Sequence, residues 1–159
     1  MMNVKLIVVG NLKEGYLRDA AAEYSKRLGG FCKFETVQLK EEKISESPSD
    51  AEIKNALERE AVKIIDELPP RSMKIAMCVE GKQFSSEELS ALMDSAAEEA
   101  GSVCFVIGSS YGLSDRVKSS CDIRMSVSKL TFPHQLMRVL LLEAVYRAFN
   151  ISRGTRYHK

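Results

Sequence analysis

Apolar residues follow two patterns along the chain: short unbroken runs, and longer segments with three- and four-residue spacing. Asn3–Val9, Met73–Val79 and Val103–Ile107 are runs rich in apolar and β-branched residues, as expected of strands buried on both faces. Cys32–Leu39 alternates apolar with polar residues and reads as another strand, and Ile123–Val127 as a short one. Leu17, Ala21, Tyr24 and Leu28 share one face of a helix over 15–28, which Gly29-Gly30 stops. Ser49-x-x-Glu52 is a capping-box pattern ahead of Ile53, Leu57, Ala61, Ile64 and Leu68, and Pro69-Pro70 ends that helix. A second box, Ser85-x-x-Glu88, precedes Leu89, Leu92, Met93 and Ala96. Glu80-Gly81-Lys82 reads as a turn, and Ser114-Asp115 as the cap of a short helix. Pro133 fits the first turn of a long final helix that runs to about Ser152.

This alternation predicts an α/β fold with a mainly parallel sheet flanked by helices. No linker or repeat divides residues 1–159, so a single domain is expected. In such sheets ligands bind beyond the carboxyl ends of the strands. Three loops meet that rule: Glu80–Phe84, Gly108–Leu113 and Ser128–Phe132.

Composition narrows the class. With 159 residues, 45% hydrophobic and 28% charged, the chain can bury a core of its own, and disorder and fibrous repeats are excluded. No apolar run approaches the roughly 20 residues of a membrane helix, and the start does not read as a secretory signal. Cys32, Cys78, Cys104 and Cys121 are scattered without a C-x-x-C pair. Reduced thiols in a cytoplasmic protein are expected, and no metal site.

Net charge is +1, but it is unevenly spread. Residues 1–115 carry 14 Lys and Arg against 20 Asp and Glu, a net of −6. Residues 116–159 carry 9 against 2, a net of +7, together with both histidines. That asymmetry points to an anionic partner for the C-terminal part, unless the charges balance within the fold.

Two loops carry candidate chemistry. Gly108-Ser-Ser-Tyr-Gly112 could bring backbone close to a ligand, although a plain strand-to-helix turn has the same composition. It is neither a dinucleotide fingerprint nor a phosphate loop. Ser128-Lys-Leu-Thr-Phe-Pro-His134 gathers hydroxyls, a cation and an imidazole at the same sheet end; helix-start chemistry explains each residue alone. The final helix is apolar on more than one face and so must be covered on more than one. The tail Arg153–Lys159 is a basic end with residues suited to phosphate contact, stacking and proton transfer. Hydrolytic and metal motifs are missing.

The segments VKLIVVGNLKEGYLRDAAAEYSKRL, FVIGSSYGL, SVSKLTFPHQLMRVLLLEAVYRAFNI and the ending YHK resemble small bacterial methyltransferases of the SPOUT superfamily. Those enzymes modify N3 of a pseudouridine in 23S ribosomal RNA. The resemblance implies a deep C-terminal trefoil knot, S-adenosylmethionine as cofactor, and a homodimer acting on ribosomal RNA within a ribosome or subunit. Carried over, the cofactor contacts are Met77, Gly108, Val127, Ser128, Lys129, Leu130, Thr131 and Phe132. Ser109 stands where the family usually has a second glycine. For such a substrate, His134, Arg138, Arg153 and Tyr157 are the candidate contacts, and His158 a candidate base. The tail would complete the partner's pocket. The competing expectation is a non-catalytic RNA- or ribosome-binding module using the basic part alone; a different small-molecule enzyme is a third.

Overall fold

The computed structural model describes residues 1–159. Five strands alternate with five helices: β1 (Asn3–Val9), α1 (Gly15–Leu28), β2 (Lys33–Leu39), α2 (Asp50–Glu67), β3 (Met73–Gln83), α3 (Ser86–Glu99), β4 (Ser102–Ile107), α4 (Asp115–Ser119), β5 (Ile123–Ser126) and α5 (His134–Arg153). The strands form one sheet of order β2-β1-β4-β3-β5, with every neighbouring pair parallel.

Successive strand residues point to opposite faces. Val4, Leu6 and Val8 of β1, with Val103, Phe105 and Ile107 of β4, pack toward α1, α3 and α5. Ile7, Val9, Cys104 and Val106 pack on the other face with Ala61 and Ile64 of α2 and Val117 of α4. Both faces are covered, so β1 from Leu6 to Val9 and β4 from Val103 to Ile107 read as unbroken apolar runs. A fully buried Leu or Val contributes about 1.5–3 kcal/mol, so these two central strands anchor the fold.

Local chemistry starts the helices where the sequence predicts. Ser85 and Glu88 form a complete capping box, with the Glu88 N–H donating to Ser85 Oγ at 3.0 Å and the Ser85 N–H donating to the Glu88 carboxylate at 2.8 Å. Ser49 forms half of one: its Oγ accepts from the Glu52 N–H, while the Glu52 carboxylate accepts from Ser45 Oγ. Ser114 caps α4 through the Val117 N–H.

The final helix ends at Arg153 on a left-handed Gly154, within a residue of the expected Ser152. Two expectations need correction. Pro133 lies just outside α5 as its N-cap. Glu80-Gly81-Lys82 is not a turn but the continuation of β3, which resumes pairing with β5 at Lys82 after a register shift from Met77. A Cβ on Gly81 would lie 2.5 Å from the carbonyl carbon of Met125. The glycine is there because two strand backbones meet, which in sequence looks like turn chemistry.

All four cysteines are free thiols. Burial pushes Cys32 and Cys121 up to about 11 and Cys104 up to about 12, which keeps them protonated. No helix is long and apolar enough to cross a membrane.

Candidate active site

The carboxyl ends of β3, β4 and β5 open into one cavity of about 370 Å³, within the usual range of roughly 300–1,000 Å³ for small-molecule sites. Met77, Ile107 and Met125, near the ends of regular pairing in three adjacent strands, form its apolar floor. Two loops form its walls: the glycine loop that follows β4, and residues 126–132 that follow β5.

Gly108 is the tightest point. A Cβ there would collide with the carbonyl of Gly112 and lie 2.9 Å from Leu113 Cδ2. The Gly112 N–H donates to the Ser109 carbonyl at 2.8 Å, closing the loop on itself. The space gained by having no side chain is therefore taken first by the loop's own return, rather than by a ligand. Ser109 is buried beneath it.

The second wall is held by Ser128. Its carbonyl accepts from Ser126 Oγ at 2.9 Å and its Oγ accepts from the Leu130 N–H at 3.0 Å. The backbone of residues 127–132 makes no hydrogen bond to other backbone. Apart from the Ser128 carbonyl and the Leu130 N–H, its N–H and C=O groups have no partner within the protein and are open to solvent or a ligand. Val79, Tyr111 and Leu130 stand exposed by 72%, 44% and 72% among the residues that line the cavity. An apolar group of this kind marks a surface that a ligand or partner covers. Glu80 and Lys118 add an ion pair to the wall, and the Lys118 ammonium holds the Glu80 carboxyl below its ordinary value.

Of the predicted cofactor residues, Met77, Gly108, Val127, Ser128, Leu130, Thr131 and Phe132 line this cavity. Lys129 does not; its side chain is exposed. His134 lines it too. Sequence reasoning missed Met125 and Ile107, which the strand-end rule could have supplied, and Lys118, for which no local signal exists.

Arg138, four residues on in α5, sits in a smaller cleft with Gly10, Asn11 and Leu12. The cleft and the cavity share Ile107 and His134. Arg138 Nη1 donates to Gln38 Oε1 at 3.0 Å.

The remaining predicted residues lie elsewhere. α5 has 20 residues, about 30 Å at 1.5 Å per residue; Arg153 lies at its far end, and Tyr157 and His158 fold back from there to Glu143 and Arg147 in its second half. Arg153 lies over the Phe31 ring at 4.4 Å. Tyr157 folds back along α5, where its hydroxyl donates to the Glu143 carboxylate at 2.7 Å and its ring meets Tyr146 edge-on at 4.9 Å. Arg147 Nη1 lies 3.2 Å from His158 Nδ1, and His158 Nε2 lies 2.7 Å from the Glu87 carboxylate. A guanidinium can only donate, so Nδ1 accepts and the ring proton sits on Nε2. Burial raises the Glu143 carboxyl, yet hydrogen bonds from Tyr157, Tyr24 and Arg147 outweigh it and leave the group below its ordinary value. Tyr24 is pushed up to about 12, by burial and then by Glu143.

Comparison with known proteins fits this geometry. A family model described as predicted SPOUT methyltransferase matches residues 2–158. A Clostridium acetobutylicum protein named ribosomal RNA large subunit methyltransferase H is 50% identical over 99% of this chain and 100% of its own length. Proteins of the same name from Streptococcus thermophilus and Clostridioides difficile are 48% and 45% identical over the same shares. The crystal structure of a probable methyltransferase from Bordetella pertussis Tohama I superposes with a TM-score of 0.57 at 17% identity, covering 92% of this chain and 95% of that one; at that identity the likeness concerns the fold. With nearly the whole chain matched by the family model and by relatives at about half identity, the protein belongs to the SPOUT methyltransferase family.

Proposed function

We propose that the protein transfers the methyl group of S-adenosylmethionine to N3 of a pseudouridine in 23S ribosomal RNA, working as a cytoplasmic homodimer. The observation that carries this reading is the cavity at the ends of β3, β4 and β5, in a chain of a methyltransferase family. Its apolar floor suits an adenine ring, and the backbone groups of residues 127–132 that Ser126 and Ser128 leave free suit the ring's hydrogen-bonding edge. The names of the relatives support ribosomal RNA as the substrate.

S-adenosylmethionine supplies a methyl group already activated by its sulfonium. The protein's own share is to align the attacking nitrogen and to manage the N3 proton, and alignment is the larger contribution. His134 on the cavity wall and Arg138 beside it would hold the target base and its strand. Cationic donors at the base carbonyls favour the N3 anion.

The tail enters this scheme only through a second copy, because α5 separates it from its own cavity. Leu136, Met137, Val139, Leu140 and Ala144 remain half-buried on α5, an apolar surface that suits a symmetric partner. Antiparallel pairing of two α5 helices sets the tail end of one beside the cavity end of the other. The tail is docked by the Tyr157–Glu143 and His158–Glu87 bonds and by Tyr157 against Tyr146, contacts that equivalent ones on the partner would have to replace on release. His158 then takes the N3 proton once Arg147 no longer occupies Nδ1. The same reading includes the deep trefoil knot, supported by membership of the SPOUT family.

The test is methyl transfer from labelled S-adenosylmethionine to free 23S RNA, ribosomal subunits and whole ribosomes, with calorimetry of cofactor binding alongside. Methylation mapped to N3 of a pseudouridine is expected. Ribosome binding without saturable cofactor binding would establish a non-catalytic module instead.

A further inference from the structure

We propose that the cleft beside the cavity is a phosphodiester subsite for the RNA strand, built on the Arg138 guanidinium. The proposal deepens the functional reading above and rests on it for the nature of the polymer. Arg138 takes part in none of the chain's ion pairs. Its Nε is buried with no hydrogen-bond partner, and burial lowers its pKa from the ordinary guanidinium value. Glu41, whose carboxylate flanks Gly10 beside His134, takes part in none of the chain's ion pairs either. A charge withdrawn from water without an opposite charge is costly unless a ligand brings one.

Neutral groups hold the guanidinium in place. Gln38 accepts from Arg138 Nη1 at 3.0 Å, and its own amide donates to Asn11 Oδ1 at 2.7 Å. Two side chains from the ends of β2 and β1 therefore orient the cation without neutralising it. Helical side chains lean toward the N-terminus, so Arg138 covers the first turn of α5. Pro133 supplies no side-chain cap there, and the turn contains no acidic residue. The free N–H groups of that turn add a partial charge of the same sign.

The anion has two sources, a backbone phosphate of the RNA or the carboxylate of the methyl donor. Arg138 does not line the donor cavity, and its cleft touches that cavity only at Ile107 and His134. A strand whose target base enters at His134 would carry its flanking phosphate past Arg138, where a guanidinium can grip two oxygens at once.

Equilibrium binding of the full-length protein to purified ribosomes and to free 23S RNA, over a range of KCl concentrations, tests the subsite. Arg138→Gln should weaken RNA binding about tenfold, near 1.4 kcal/mol, and reduce the slope of log affinity against log salt by about one. Gln38→Ala, an exposed change that spares the core, should weaken it about two- to threefold with the slope kept, since the charge remains. S-adenosylmethionine affinity by calorimetry should stay within about twofold in both. Unchanged RNA affinity and slope in folded Arg138→Gln, or no binding of the parent protein to either RNA, overturns the subsite. Loss of cofactor affinity with RNA binding intact assigns the anion to the donor carboxylate and overturns it too. A parent protein that binds RNA through Arg138 yet transfers no methyl group keeps the subsite and sinks the catalytic reading.

Discussion

The two ends of α5 are built alike in composition and oppositely in pairing. Each gathers arginine, histidine and neutral polar groups, and the second adds the carboxylates of Glu143 and Glu87. At the His134 end the helix has no side-chain cap and Arg138 has an orphaned nitrogen and no counter-ion. At the Arg153 end, Tyr157, Arg147, His158, Glu143 and Glu87 satisfy one another within hydrogen-bond distance. Unspent polar capacity in a cleft points to a ligand, whereas a closed network points to structure. The difference teaches that the tail's polar groups are already satisfied within this protomer, so the tail role proposed above requires these contacts to open.

The sharpest way to break the comparison is to remove the closed end. Deleting Tyr157–Lys159 should cut methyl transfer by about 10²-fold or more while cofactor affinity stays within about twofold. Transfer at the parent rate would show that the network is only structural. His158→Ala alone should cost about 10²-fold in turnover if the ring is the base, and much less if it merely positions the substrate.

At the opposite end, Gly108→Val places a branched side chain against the Gly112 carbonyl. Cofactor binding should fall at least tenfold, about 1.4 kcal/mol; titration calorimetry on protein with parental circular dichroism checks it. Retained affinity would mean the glycine loop is not part of the donor site.

The smallest expected effect is on stability. Tyr157→Phe removes one donor to Glu143 and should destabilise by about 1 kcal/mol at pH 7. Glu143 is held below its ordinary value in the folded protein, so the stabilisation it carries is present above the unfolded carboxyl pKa of about 4.3 and is lost as pH falls through the folded value. The difference between parent and variant in urea melts should therefore fade below about pH 4. A difference that persisted at pH 3 would place the hydroxyl's contribution in packing on Tyr146 instead.

What the sequence made legible follows from locality. Strands buried on both faces announce themselves as apolar runs, and Ser85 and Glu88 announce their capping box, because cause and effect lie within a few residues. The cavity at the strand ends was legible through the strand-end rule and the family segments around Gly108 and Ser128–Phe132. Gly81 misled, since close approach of β5 and a tight turn both call for glycine. The docking of Tyr157 and His158 was illegible: their partners Glu143 and Glu87 lie 14 and 71 residues away, and no periodicity links them. Arg138 could be named as a substrate contact, but its lack of a counter-ion is a fact of three dimensions.

The central place of β1 constrains how the chain is made. Its first residues pair with Ser102 and Val103 on one side, and with β2 on the other. During synthesis at roughly 5–20 residues per second, the hundred or so residues that separate β1 from β4 take about 5–20 seconds to appear. Throughout that interval Leu6, Ile7, Val8 and Val9 present an unpaired apolar edge to the cell, next to the translating ribosome. Any charge placed on Leu6–Val9 to keep the nascent chain soluble would end in the core, and pairing with β2 covers only the opposite side of β1, so this edge waits for β4 or for a chaperone.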